Sequence, residues 1–140
     1  MRNAIFWPLI AQVALVAVVW GRMYAIRIAE MRARGIRPQS VATSRTGAGA
    51  FQNVAAADNF RNLFEVPVLF FAVCGALAIT DTVTPLQLLL AWLYVGLRAA
   101  HSFIHVTYNR VMHRFWVYVA STFCVFAMWG LFAFALWRDG

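Results

Sequence analysis

A chain of 140 residues has room for one domain, and with 63% hydrophobic residues and a mean hydropathy of +0.69 it lies outside the range of ordinary soluble folds. Its formal charge of +7 comes entirely from arginine, because the sequence contains no lysine. In a soluble protein that excess would suggest nucleic acid; in a chain this apolar it marks membrane topology and offers ligands to anions.

Four apolar stretches follow one another, at about 5–27, 60–80, 85–108 and 115–137. Each is near the roughly 20 residues that a spanning helix needs, and none shows the two-residue alternation of a membrane barrel. The expected fold is therefore all-α, an integral membrane four-helix antiparallel bundle forming a single domain over 1–140. The first stretch lacks a small-residue cleavage site after Gly21-Arg22-Met23-Tyr24, so it reads as a retained helix rather than a signal peptide. Trp7 and Trp20 suit the membrane interfaces. Arg27 is near enough to the inner end to snorkel, whereas Arg22 lies deeper and invites an interior role.

From about 32 to 57 the chain turns polar, with Gly35, Pro38, Gly47 and Gly49 marking a long loop. Arg27, Arg32, Arg34, Arg37 and Arg45 crowd its beginning, Arg110 and Arg114 occupy the third connection, and the second connection holds only Asp81. The positive-inside rule then predicts loops one and three in the cytoplasm and both termini outside. The long loop reads either as part of a lid over a site or as plain surface.

The second span opens on Ala57-Asp58-Asn59-Phe60-Arg61-Asn62-Leu63-Phe64-Glu65-Val66-Pro67. On a helix Asp58, Asn62 and Glu65 share a face, with Asn59 beside them. An ionisable group in hydrocarbon costs about 2.5–3.5 kcal/mol on insertion scales, so Glu65 is expected to face protein or a wet cavity with a partner. Pro67 predicts a mild kink that frees a carbonyl about one turn earlier for a neighbouring helix to satisfy. Pro85 suits the first turn of the third span. In that span Tyr94, Arg98, His101, His105, Tyr108 and Met112 recur at intervals of four or three and form one stripe. With antiparallel helices, Asn62 and Glu65 are expected to meet Arg98 and His101 near the inner leaflet.

The fourth span has no ionisable residue between Arg114 and Arg138, which leaves it a packing and lipid-facing role, with Trp116, Tyr118, Trp129 and Trp137 as interfacial or inter-subunit aromatics. Cys74 and Cys124 lie within spans and read as small hydrophobes rather than a disulfide or a nucleophile. The polar stripes admit three uses: an anion site built on arginines, ligation of a metal or haem by His101 and His105, or mutual satisfaction that fixes bundle register. Two histidines at i and i+4 can share a metal, but no Cys, Asp or Glu stands beside them and the arginines would repel a cation, so no metal is expected.

Asn62-Leu63-Phe64-Glu65, followed by Pro67 and Phe70 and preceded by a basic, glycine-containing loop, resembles the Asn-x-x-Glu signature of the MAPEG family, the membrane-associated proteins in eicosanoid and glutathione metabolism. Arg98-Ala99-Ala100-His101 with His105 is similar to the third helix of that family, where an arginine precedes aromatic or polar residues by three and seven positions. The resemblance covers most of the chain and is of the bacterial type. It implies a homotrimer in the bacterial inner membrane, with periplasmic termini and glutathione held as co-substrate between subunits near the cytoplasmic side.

By the same resemblance Asn62, Glu65, Arg61, Arg98, His101, His105 and Tyr108 would hold glutathione, while Arg110, Arg114 or Arg32 would stabilise its thiolate for attack on a lipophilic small molecule, an electrophile or hydroperoxide. Two departures stand out. Asp58 occupies the place where the enzymes' motif begins with arginine, and Met112 falls nearest to their thiol-activating arginine, flanked by Arg110 and Arg114. They favour an alternative in which the chain is a non-catalytic membrane protein or an accessory subunit of a larger membrane complex.

Overall fold

The computed structural model describes residues 2–42 and 49–139, and among them every regular element is helical. Arg45 and Gly47 lie outside the described residues. After a 3-10 turn at Arg2–Ile5 come α1 (Phe6–Arg34), α2 (Ala55–Asn62), α3 (Val66–Thr80), α4 (Pro85–Val106) and α5 (Val111–Asp139), with a second 3-10 turn at Pro38–Val41 in the first loop. Four segments are long and apolar enough to cross a bilayer, with α2 and α3 together making the second. Short turns join α3 to α4 and α4 to α5, so these helices run antiparallel.

The first helix outlasts its apolar run and continues to Arg34, because Ile28-Ala29-Glu30-Met31-Arg32-Ala33-Arg34 consists mostly of good helix formers with a Glu30–Arg34 pair at 2.9 Å. Gly35 stops it in the left-handed conformation at φ 64°. Arg22, expected inside, is exposed. The fourth α-helix starts with a capping box in which Gln87 N–H donates to Thr84 Oγ1 at 3.2 Å and Thr84 N–H to Gln87 Oε1 at 2.9 Å, with Pro85 in the first turn.

The second span departs from expectation. Pro67 does not kink a continuous helix; the chain breaks between α2 and α3, with tight turns from Leu63 N–H to the Phe60 carbonyl at 3.1 Å and Phe64 N–H to the Arg61 carbonyl at 3.0 Å. Glu65 leaves helical conformation at φ −90°, ψ −97°, and Pro67 becomes a first-turn residue of α3. The cause is steric: the Pro67 ring would collide with the Leu63 carbonyl four residues back and Pro67 has no N–H to donate to it, so α2 ends and α3 starts with Pro67 in its first turn.

Ile5, Phe70, Val73, Cys74, Leu77, Ala91, Tyr94, Val125 and Met128 are all fully buried and form a core drawn from four elements. Both cysteines sit in it as free thiols. The most extensive helix contact joins α4 to α5, while α1 packs mainly on α2 and α4. Trp129 is an interhelical residue rather than a purely interfacial one, since its Nε1 donates to the Leu69 carbonyl at 3.2 Å. Trp7, Ile10, Val13, Val18 and Trp20 of α1 are exposed, an apolar face of the kind that lipid or a neighbouring subunit covers.

The return of the first loop is fastened to the end of α1. Glu30 accepts from Gln52 N–H at 2.6 Å and Asn53 N–H at 3.3 Å, Arg34 donates to the Ala50 carbonyl at 2.7 Å, and the Arg27 guanidinium lies 4.8 Å from the Phe51 ring centroid. The loop is thereby delivered to the start of α2, and Arg27 stacks on it instead of reaching outward alone.

Candidate functional site

The break after α2 creates the site. A helix that ends leaves its last carbonyls without intrahelical donors, and the α2 end carries the negative end of the helix dipole. Arg98, from the buried stripe of α4, occupies that place: its Nη2 donates to the Asn62 carbonyl at 2.6 Å. The Arg98 guanidinium also lies 5.4 Å from the ring centroid of Tyr118 on α5. Arg98 is fully buried, and its Nε and Nη1 have no partner among the described residues.

Around Arg98 the stripe continues with His101 and His105, both buried, their ring centroids 5.9 Å apart. His101 also meets the Tyr118 ring at 5.8 Å. Its Nδ1 lies 3.2 Å from the Arg114 carbonyl, an acceptor only, so Nδ1 carries the hydrogen and donates. Arg114 Nη1 lies 2.8 Å from His105 Nε2 and donates there, and donates again to Asn109 Oδ1 at 2.8 Å. Tyr118 donates its hydroxyl to Glu65 Oε2 at 3.3 Å. Asn62, His101, Arg114 and Tyr118, with Val111 and Phe115, line an open cleft of about 200 Å³.

Of the sequence-predicted residues, the fold gathers Asn62, Arg98, His101, His105 and Arg114, and it tethers Glu65 through Tyr118. Glu65 itself is exposed rather than enclosed, because the break turns it out of the helix. The stripe ends at His105: α4 stops at Val106, Thr107 leaves helical angles at ψ −97°, and Asn109 turns the chain at φ 48°. Tyr108 is consequently exposed and its hydroxyl pairs with His113 Nδ1 at 3.3 Å, while Met112 is exposed on the first turn of α5.

Arg110 is exposed on that turn, and Arg32 borders a different concavity with Ile28, Met31 and Pro38. Arg61 lies 3.7 Å from Asp58, both side chains at least half exposed, so the acid is partly offset by its neighbour. Sequence reasoning places Tyr118 among interfacial or inter-subunit aromatics rather than in the site, and it misses Asn109 and the full burial of Asn59, whose amide has no partner among the described residues. Tyr118 lies four residues beyond Arg114, a spacing that puts both on one face of α5 and could have found it. Among the described residues no three His, Cys, Asp or Glu side chains gather as a metal ion would require.

Four segments long and apolar enough to cross a bilayer, with a buried arginine among polar side chains between the second, third and fourth, define a multi-pass integral membrane protein with a polar interior site. The chain matches the MAPEG family over residues 5–134 of its 140 and belongs to that family. That membership puts it in the group of membrane proteins concerned with glutathione and eicosanoid metabolism. No curated protein and no solved structure matches the chain.

Proposed function

We propose that the protein is a glutathione-dependent transferase or peroxidase of the membrane, acting on lipophilic electrophiles or hydroperoxides that enter from the bilayer. The observation that carries this reading is Arg98: a fully buried guanidinium spends one donor on the Asn62 carbonyl, and its Nε and Nη1 have no partner among the described residues. A cation at membrane depth costs about 2.5–3.5 kcal/mol on insertion scales, and an anionic ligand offsets that cost. Glutathione brings two carboxylates, an amino group and a thiol. Arg98 and Asn62 would hold its peptide, Glu65 its amino group, and Arg114 would stabilise the thiolate.

The chemistry is nucleophilic. The thiol gives its proton to water, and the sulfur anion beside Arg114 bonds either to an electrophilic carbon, as the leaving group departs with the bonding pair, or to a peroxide oxygen, as the O–O bond breaks and the alkoxide leaves as the alcohol. In the second case the resulting sulfenic acid condenses with a second glutathione to give the disulfide and water. Of the three candidate arginines Arg114 has the strongest claim, since it lines the cleft with Asn62 and Tyr118. It also answers the departure at Met112, two positions earlier. The cleft of one chain, about 200 Å³, falls short of the roughly 300–1,000 Å³ of small-molecule sites, so a second wall is needed. A neighbouring copy in a homotrimer would supply it, bringing Arg32 toward the ligand. The arginine-rich first and third loops would face the cytoplasm, with both termini in the periplasm of a bacterial inner membrane.

Calorimetric titration of the purified protein with glutathione, paired with conjugation of a chloro-nitroaromatic acceptor, tests the reading. Binding with conjugate formation is expected; no heat at millimolar glutathione contradicts it. Asp58, half exposed where the enzymes carry arginine, favours the alternative of an accessory subunit. A stable partner recovered in mild detergent without thiol transfer would select that alternative.

A further inference from the structure

The contacts of Arg114 determine the protonation of the ring that holds it. A guanidinium has five donors and no lone pair, so the 2.8 Å contact between Arg114 Nη1 and His105 Nε2 requires Nε2 to be unprotonated. The ring hydrogen therefore sits on Nδ1, which is buried and has no partner among the described residues. On the preceding turn of α4, His101 Nδ1 donates to the Arg114 carbonyl at 3.2 Å. The fourth α-helix thus grips Arg114 twice, by its backbone through His101 and by its side chain through His105.

We propose that His105 is a proton-operated positioning residue: neutral, it holds the Arg114 guanidinium at the cleft, and on taking up a proton at Nε2 it releases it. The exchange balances simply. One proton arrives from water, the acceptor lone pair is consumed, one hydrogen bond is lost, and the guanidinium keeps its charge. Two cations would then stand where an acceptor and a donor stood, at 2.8 Å. The charged and titratable groups around His105 are Arg114 from α5, Asp58 from α2, and His101 on its own helix. Asp58 is half exposed and already beside Arg61, so it is poorly placed to neutralise the new charge, and Asn109 remains as the second acceptor that the released Arg114 would keep or follow. The functional consequence rests on the glutathione reading: with Arg114 displaced, a bound thiol loses the cation that favours its thiolate.

The test begins without ligand. Full-length protein labelled with nitrogen-15 arginine and carbon-13 histidine is titrated from alkaline to acid pH in micelles, with Arg114→Lys, His105→Gln and His101→Gln used to assign signals. The guanidinium resonance of Arg114 is expected to move in step with the His105 ring signal in the wild type. In His105→Gln, whose amide oxygen accepts but does not titrate, the resonance is expected to stay put. His113→Gln, which alters only the exposed pair with Tyr108, is expected to leave the step unchanged. An Arg114 signal that is flat through the His105 titration, or a His105 ring that never titrates, overturns the proposal.

In the second arm, thiolate absorbance of bound glutathione is followed against pH. Loss steeper than one proton in the wild type, reverting to a one-proton curve in His105→Gln, supports the gate. A one-proton curve in both argues against it. If glutathione gives no thiolate signal at any pH while Arg114 still follows His105, the glutathione reading fails and the gate stands.

Discussion

Arg98 holds three parts of the fold together with one flat, five-donor group. It closes the end of α2 through the Asn62 carbonyl, lies against Tyr118, and keeps two nitrogens without a partner among the described residues. Arg98→Lys retains the charge, but an ammonium is a point donor that cannot reach a carbonyl and present a fork at once. Glutathione affinity is expected to fall at least about tenfold in that variant, about 1.4 kcal/mol, as read by calorimetry. Tyr118 separates two roles. Tyr118→Phe keeps the ring over Arg98 and loses only a 3.3 Å bond to an exposed carboxylate, so thermal stability should shift little. Tyr118→Leu also removes the cation–π contact, and an additional loss of about 0.5–2 kcal/mol is expected from paired denaturation curves.

At the scale of elements, the interruption between α2 and α3 is what offers Asn62 to Arg98. Pro67→Ala restores an N–H and relieves the clash with the preceding turn, so the two helices can fuse. The variant is expected to be as stable as the parent or more so, yet to bind glutathione more weakly, because a fused helix reclaims the Asn62 carbonyl. Unchanged affinity in Pro67→Ala would separate the break from the site. The fastening of the first loop makes a second prediction. Glu30→Gln keeps the shape but removes the charge that two backbone N–H groups and Arg34 share. Protease cleavage around 49–54 is expected to quicken in that variant while the apolar spans stay resistant.

Across the whole molecule, single cysteines test the orientation drawn from the arginines. The native Cys74 and Cys124 are buried and give little background. Ser40→Cys in the first loop should react with a membrane-impermeant maleimide only after lysis, and Asn3→Cys at the opposite end should react in intact cells. The reverse pattern would invert the topology.

The spans were legible because twenty-residue apolar runs and arginine asymmetry follow from the bilayer itself. The stripe from Tyr94 to His105 was equally legible, since a helix fixes the spacing of side chains that must avoid lipid. The break at Leu63–Glu65 was not, because a proline reads equally as a kink or as the first turn of a new helix until a neighbour claims the freed carbonyl. Tyr118 reads from sequence as an interfacial or inter-subunit aromatic, because a tyrosine in an apolar span suits a membrane interface as well as a polar interior, although its place one turn from Arg114 was visible. The Thr84–Gln87 capping box was likewise visible in the spacing of its residues. The Glu30 clasp joins groups far apart in the chain, so no local pattern announces it.

The most direct test is a structure of the detergent-extracted protein saturated with glutathione. The tripeptide is expected in the cleft, with a carboxylate on Arg98 Nε and Nη1 and the sulfur beside the Arg114 guanidinium. A cleft left unchanged at millimolar glutathione, or a ligand bound away from Arg98 and Arg114, would contradict it.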